Sequence, residues 1–543
     1  MFTLAETAFA ELTSEELDTL IPYSACQVFE NGETVFNAGD EDIAMFVVRS
    51  GALEVINPND NNAVVVTHRA GQFSGDIDLL TRRPVMVKGV ARGKTHVMRI
   101  SNENVRDVLL RLPVVSDKLL VAFQMRREML KATNVGLTVI GHPKCSETNE
   151  LREFLYKNFV PFAWHDPTTE AGQQALLECD SPETLPAVRC NNGNVLLKPT
   201  LQELARGAGV WRHCPNRDVD LAIIGAGPAG VAAAVYAASE GLSTLVLDRL
   251  GPGGQAAGSS KIENFIGFPS GLTGADFATR GVLQMLKFGA NLVAPVSVKS
   301  IDAAKASHDT HKLTLDCGAV ISARSVIVAT GVRWRKLEAL GADRFERTGV
   351  YYACTTVEAV MHDQTDVAVV GAGNSAGQAA MYLSECCPSR KVHMIVRGSL
   401  GKSMSEYLVS RIRASKNIVV HEGASIKTVE GGRTIETIAM ERKDGTQHTL
   451  GVTAVFVFIG AEPTAEFLPS TVARDSQGFL LTGSEVVSAG KWPLQDRDPC
   501  PLETSVPGIL AAGDIRSGST KRVGFAVGDG SLAVTCVHRL ISL

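Results

Sequence analysis

The chain contains no Cys-x-x-Cys pair; its eleven cysteines are scattered over 543 residues. That spacing excludes a zinc ribbon and a linear dithiol motif, and it offers no ligand set for a structural metal. No apolar run reaches the ~18 residues a membrane-spanning helix needs, and segments such as 454–459 are only strand-length. Basic charge is not in excess. With 53 Lys and Arg against 58 Asp and Glu the formal net charge is −5, which argues against nucleic acid as a partner. Residues 1–20 carry acids, without a basic n-region or a small-residue cleavage site, so no secretory leader is expected. Unpaired cysteines in a long chain point to a reducing, cytoplasmic location. Short repeats and low-complexity tracts are also missing. What is present is globular: 45% hydrophobic and 20% charged residues. At roughly 150 residues per domain the length predicts three or four domains.

The first segment, to residue 131, opens with a capping-box helix over 12–20 (Thr13, Glu16). Short β-type runs follow at 34–36, 45–48, 53–56, 64–66, 85–90 and 96–100, separated by glycine or polar turns. Even spacing of that kind predicts a β-roll or barrel. An amphipathic helix over 104–131, broken near Pro113, closes the segment. Residues 132–212 read β-α-β-α-β-β-α, with strands at 136–140, 160–165, 186–190 and 194–197 and helices at 147–158, 170–179 and 200–206. From about 218 onward strands and helices alternate, as in an α/β domain with a parallel sheet.

Two glycine-rich strand–turn–helix units stand in that last region. A strand over 219–224 runs into Gly225-Ala226-Gly227-Pro228-Ala229-Gly230 and an alanine-rich helix; the next strand, 243–247, ends at Asp248. Gly225 serves the tight turn and Gly227 the approach of a pyrophosphate. Gly230 serves close helix–strand packing, and Asp248 is placed to accept from ribose hydroxyls. The second unit is a strand over 367–370, then Gly371-Ala372-Gly373-Asn374-Ser375-Ala376, then a helix. Its following strand, 391–396, ends at Arg397, with Lys402 nearby. A cation there suits the 2′-phosphate of NADPH; a solvated strand-end cation is the other reading. Two further strands end in small-residue turns, Ala329-Thr330-Gly331 and Ala511-Ala512-Gly513-Asp514, the latter shortly before a helix at 524–533.

In this order and spacing, residues 218–543 resemble the low-molecular-weight thioredoxin reductases. The resemblance rests on the GAGPAG turn at Gly225, Gly254-Gln255, Ile262-Glu263-Asn264 with Gly267, Ala329–Gly331, the GAGNSA turn at Gly371, and Ala511–Asp514. It implies an FAD domain in two pieces, 216–336 and 463–543, enclosing an NAD(P)H domain at 337–462. It also implies a homodimer whose domains rotate to alternate the flavin's partners. By the same resemblance Gly254, Gln255, Asn264, Thr330, Gly331, Gly513 and Asp514 contact FAD, and Arg522 lies near the flavin end.

The chain departs from that family at its reaction centre. After Gly349-Val350 the family carries its dithiol; here Ala353 and Thr356 stand at the two cysteine positions, Cys354 falls between them, and Val357 replaces the following acid. Alanine and threonine perform no thiol–disulfide exchange. Cys354 alone is a candidate flavin-side thiol, against the reading of a small space-filling residue. Hydride transfer from nicotinamide to FAD is unaffected by this loss, so the expected function is NADPH-to-FAD electron transfer to an unidentified acceptor, a redox protein among the candidates. Ferredoxin–NADP reductases of the thioredoxin-reductase-like type share the architecture without the dithiol, and a redox- or ligand-responsive FAD regulator is a reading from a different class.

Residues 1–131 resemble the cyclic-nucleotide-binding β-roll through glycine spacing and the cassette Gly71-Gln72-Phe73-Ser74-Gly75-Asp76-Ile77-Asp78. Asp76 stands where the family has a ribose-binding glutamate, and Val85 where it has the phosphate-binding arginine, so a small ligand and a purely structural or dimerising roll are both open. Residues 132–215 resemble the thioredoxin fold through Leu185-Pro186-Ala187-Val188, with Cys145 just before a helix. Cys145 is then either a monothiol centre, its thiolate favoured by the helix N-terminus, or incidental to a docking domain.

Overall fold

Thr13 and Glu16 close a reciprocal capping box, Glu16 N–H to Thr13 Oγ1 at 3.2 Å and Thr13 N–H to Glu16 Oε2 at 2.8 Å, and start the helix Ser14–Leu20. The computed structural model describes residues 7–542 apart from 42–43, 59–61, 82, 133–135, 144, 180–182, 212–216, 259–261, 263–264, 305–308, 347, 353, 355 and 403. A five-stranded antiparallel roll follows, made of Ala25–Phe29, Thr34–Phe36, Ala44–Asn57, Ala63–Arg69 and Lys88–Ser101. The runs expected as separate strands at 45–48 and 53–56 form one 14-residue strand, and Lys88–Ser101 likewise absorbs the run at 96–100. Gly51 explains the first merger. It sits at φ +80°, and a Cβ there would come within 2.6 Å of Thr95 Oγ1. The pairing with Lys88–Ser101 shifts register on either side of Ser50, so the glycine makes a bulge that curls the sheet instead of a turn that ends it. The helices Asn102–Arg111 and Pro113–Ala132 close the roll, broken at Pro113 as the sequence predicts.

The next unit has the predicted β-α-β-α-β-β-α order. Its sheet runs Phe162–His165, Leu137–Ile140, Ala187–Arg189, Val195–Leu197; the first pair is parallel and the others antiparallel. The Leu185–Pro186 bond is cis.

Beyond it lie two parallel-centred sheets. In the first, Arg217–Ile224 pairs in parallel with Thr244–Leu247 on one side and Val320–Val328 on the other, and Ile509–Ala511 joins Val320–Val328 from far along the chain. Residues 221–224 and the strand Thr244–Leu247 are buried on both faces, as central parallel strands must be. In the second, Val367–Val370 lies between Val392–Val396 and Ala454–Val457. This unit is pinned by a buried cation: Arg390 donates to the carbonyls of Leu383 (3.2 Å), Ala359 (2.8 Å) and His362 (2.8 Å). Arg390→Leu takes a donor from each of those carbonyls, of which that of His362 keeps Thr365 Oγ1 at 2.8 Å. The expected loss is about 2 kcal/mol of unfolding free energy, read as a lower urea midpoint at unchanged slope.

Candidate functional site

Three turns converge at one end of the first sheet. Gly225 leaves Arg217–Ile224 at φ +101°, and a Cβ on it would lie 2.5 Å from the Ala329 carbonyl oxygen at the end of the neighbouring strand. Gly513, after Ile509–Ala511, abuts the Ala229 Cβ at the start of the helix Pro228–Ser239. The segment 250–254 folds back over this point, so that a Cβ on Gly254 would stand 2.9 Å from the Gly227 Cα. Gly230 packs its helix onto the strand so closely that a Cβ would sit 1.9 Å from the Gly225 carbonyl oxygen. Pro228 takes the first helical position, where its missing N–H costs nothing.

Helix capping shows where an anion belongs. Thr13, Ser101, Thr169, Thr200 and Thr273 each cap a helix with a side-chain oxygen. Gly227, Gly373 and Arg522 cap theirs with none, as do Cys145, Ser405 and Gly483 on helices that neither glycine turn opens. The free N–H groups and the dipole of the first two helices face the glycine turns and fit pyrophosphates.

Asp248 is more committed than the sequence implies. Its Oδ2 accepts from Ala226 N–H (2.8 Å) and its Oδ1 from Leu250 (2.9 Å) and Gly251 (2.8 Å). The carboxylate therefore fastens the 250–254 segment to the glycine turn first, with one acceptor position left for a ribose hydroxyl. Thr330 Oγ1 donates to the Thr464 carbonyl at 2.7 Å and Gln255 Nε2 to that of Val332, so both brace the loops beside the Gly225 turn. Gly331 takes φ +63° in the turn. Asn264 lies outside the described residues. Asp514 is partly buried, and burial raises its pKa, with Lys521 opposing and Asp529 adding to the rise. Arg522 is exposed at the helix start.

Several supporting residues carry no sequence signal. Arg516 holds Asp529 by two contacts, 2.9 and 3.1 Å, and Asp529 also accepts from Gly513 N–H at 2.9 Å, clamping the Gly513–Asp514 turn to the helix Val523–Ile541. Lys157 Nζ reaches the Gly254 carbonyl (3.2 Å) and Asn158 Nδ2 that of Leu250 (2.8 Å), so the second unit buttresses the segment 250–254. No periodicity or motif joins residues this far apart.

In the second sheet Gly371 (φ +138°) approaches the Phe458 carbonyl oxygen, 2.4 Å from where its Cβ would be, and Gly373 has open space beside it. Ala376 is fully buried against this turn, which makes it a packing residue. Asn374 Oδ1 accepts from Ser405 N–H at 2.8 Å, leaving the Ser405 hydroxyl buried and unpartnered beside it. Ser375, Arg397 and Lys402 are exposed, and Arg397, after the strand Val392–Val396, has no ion pair among the described residues.

The thiols fare differently. Ala353 lies outside the described residues. Cys354 packs at the edge of the core beneath Asn374–Cys386, and its pKa is pushed up to about 12, by burial first and then by Glu358 and Cys386. A thiol in that state is no nucleophile at neutral pH. Cys145 does occupy the N-cap of Ser146–Lys157, but its S–H points at Glu147 Oε2 (3.0 Å) instead of the helix amides, and that bond lowers the Glu147 pKa. Cys386 is exposed while Cys387 is buried, so the vicinal pair diverges. Among the described residues no helix is long and apolar enough to cross a membrane.

Comparison with known proteins matches residues 219–530 to the pyridine nucleotide-disulphide oxidoreductase family and residues 26–111 to the cyclic nucleotide-binding domain. A thioredoxin reductase of Mycoplasmopsis pulmonis is 34% identical over 319 residues, 59% of this chain and 96% of the relative. An NADH dehydrogenase of Bacillus subtilis is 28% identical over 422 residues, 74% of each chain. A crystal structure of T. acidophilum thioredoxin reductase superposes with a TM-score of 0.49 at 28% identity, covering 60% of this chain and 99% of that one.

Proposed function

The chain belongs to the pyridine nucleotide-disulphide oxidoreductase family, and from that premise we propose that it draws electrons from NADPH through FAD and delivers them to a separate redox protein without an internal dithiol. It is an FAD-dependent NAD(P)H oxidoreductase with a cyclic-nucleotide-binding-like roll at its N-terminus. Bound FAD supplies the hydride acceptor that no side chain offers. The observation that carries the reading is the pair of glycine turns, each opening a helix whose first N–H groups have no side-chain cap.

In this reading Gly225, Gly227, Gly230, Gly254 and Asp248 hold the FAD pyrophosphate and ribose. Gln255, Asn264, Thr330, Gly331, Gly513, Asp514 and Arg522 shape its remaining length. Gly371, Gly373, Asn374, Ser375 and the buried Ser405 take the NADPH phosphates, and Arg397 its 2′-phosphate. The domains divide at 1–131, 132–215, 216–336 with 463–543, and 337–462. The family resemblance supports a homodimer, and the scattered free thiols support a cytoplasmic location. Neither Cys354, protonated by burial, nor Cys145, facing a carboxylate, takes part in flavin reduction.

Anaerobic NADPH should bleach the purified yellow protein. Cys354→Ser and Cys145→Ser should do so within twofold of the parent rate, while none of the three turns over thioredoxin disulfide. A protein that NADPH leaves yellow sinks the proposal, and loss of bleaching in Cys354→Ser removes its dithiol-free route.

A further inference from the structure

The β-roll and the helix Pro113–Ala132 line an open-mouthed cavity of ≈ 150 Å³ that NADPH oxidation does not use. A cavity of that size in a protein core accepts a guest about as large as benzene. Its walls are apolar, with Phe36, Phe46, Val55, Val66, Leu79 and Met129 contributing. Val85 lines it where the resembled family has its phosphate-binding arginine.

Few polar groups face this space, and most are already engaged. Ser74 Oγ accepts from Phe46 N–H at 3.0 Å. Asp76 accepts from Asp78 N–H at 2.9 Å and pairs with Arg127 at 2.8 Å. Arg127 also reaches Asp78 at 2.7 Å, and Asp78 has Arg83 4.0 Å away. Among the described residues two acids thus face two arginines, and a third cation, which also lies in the field of Asp76, leaves the cluster one positive charge in excess.

That cation is Arg126, 7% exposed, which lines the cavity. Its Nε donates to the Ala8 carbonyl (2.8 Å) and its Nη1 to that of Gly75 (2.7 Å), and the guanidinium lies 4.5 Å over the Phe73 ring. Its Nη2 is buried and, among the described residues, has no hydrogen-bond partner. Beside it His68, 3% exposed, keeps an unpartnered Nδ1 and stays neutral, its pKa driven down to about 3 by burial and by Arg126. A buried donor of this kind is costly without an acceptor.

We propose that this cavity is an effector site for a small apolar monocarboxylate, aromatic or short-chain, whose carboxylate is held by Arg126. One negative charge matches the one surplus cation, and an apolar body matches the walls. A cyclic nucleotide fits poorly. Its ribose hydroxyls find Asp76 already occupied, and its phosphate lacks the cassette arginine.

The site also has a route to the flavin. Arg126 grips Gly75 in the middle of the cassette, and Asp78 lies next to Arg83. Arg83 donates to the Asn158 carbonyl, and Asn158 and Lys157 hold the carbonyls of Leu250 and Gly254 over the Gly227 turn. This transmission rests on the flavin reading above; binding itself does not.

The test uses the full-length flavoprotein. Benzoate, hexanoate, neutral benzyl alcohol, cyclic AMP and cyclic GMP are titrated by calorimetry, and flavin reduction by NADPH is followed with and without saturating benzoate. The expected result is saturable benzoate or hexanoate binding at one site per chain, at least tenfold tighter than benzyl alcohol, with no heat from the cyclic nucleotides. Arg126→Met should weaken it at least tenfold. Val66→Phe, which leaves Arg126 in place and fills the cavity, should weaken it likewise while retaining flavin. Benzoate should alter the reduction rate at least twofold in the parent and in neither variant. Saturation by a cyclic nucleotide, equal binding of benzoate and benzyl alcohol, or no binding by either carboxylate overturns the site. Binding that leaves flavin reduction unchanged overturns its effector role. A protein that NADPH cannot reduce fails the flavin reading alone, because calorimetry still reports the site.

Discussion

Gly225→Val should emerge from purification folded and colourless. Two costs coincide at this position. The backbone stands at φ +101°, where a β-branched residue is strained by about 1–3 kcal/mol. The added Cβ would also lie 2.5 Å from the Ala329 carbonyl oxygen, a backbone atom that cannot swing aside. Relief comes only by separating the ends of Arg217–Ile224 and Val320–Val328, which are the walls of the pyrophosphate site. Together these terms amount to roughly 4 kcal/mol, about a thousandfold in FAD affinity. Gly241→Val is the matched control. Gly241 has a similar φ of +87°, but nothing lies within 4 Å of its would-be Cβ, so it carries the backbone strain without the collision and should keep its flavin. The flavin-to-protein absorbance ratio after gel filtration reads both variants, with circular dichroism confirming the fold. Stoichiometric flavin in Gly225→Val would show that the cofactor lies elsewhere.

Local pattern made much of this protein legible in its sequence. The strands Thr34–Phe36 and Val367–Val370 and the helix break at Pro113 fall where glycine, proline and apolar runs place them. The β-α-β-α-β-β-α unit was equally readable, because each of its elements carries its own periodicity. Gly51 misled for a physical reason: a bulge and a turn both call for glycine at positive φ, and only the distant strand holding Thr95 decides between them. Asp248 was placed correctly but given an incomplete task, since its three backbone donors come from loops that no motif describes. Long-range clamps were beyond reach. Arg516 with Asp529, and Asn158 over Leu250, join through tertiary packing alone. Arg126 was hidden most completely, as one of many charges on an amphipathic helix, and only its buried, unpartnered Nη2 sets it apart.

Cofactor choice should turn on Arg397, and Arg397→Glu should lower kcat/KM for NADPH by roughly a hundredfold while changing that for NADH less than threefold. The guanidinium stands exposed at the end of Val392–Val396, one strand over from the Gly371 turn, and among the described residues no carboxylate pairs with it. In that place a 2′-phosphate would receive charge-assisted hydrogen bonds worth about 1.5–3 kcal/mol, and reversing the charge adds repulsion to their loss. Exposure sets the ceiling, because solvent and salt screen the interaction. The NADPH penalty should therefore shrink as ionic strength rises, whereas a misfolded variant would show no such salt dependence. The loss should appear in KM and leave kcat nearly unchanged, since the 2′-phosphate lies far from the hydride and is held equally in the ground and transition states. Lys402→Ala, nearby and equally exposed, should weaken NADPH by no more than about tenfold. If Arg397→Glu slows both cofactors alike, Arg397 is a solvated strand-end cation and the preference for NADPH must be sought in other residues.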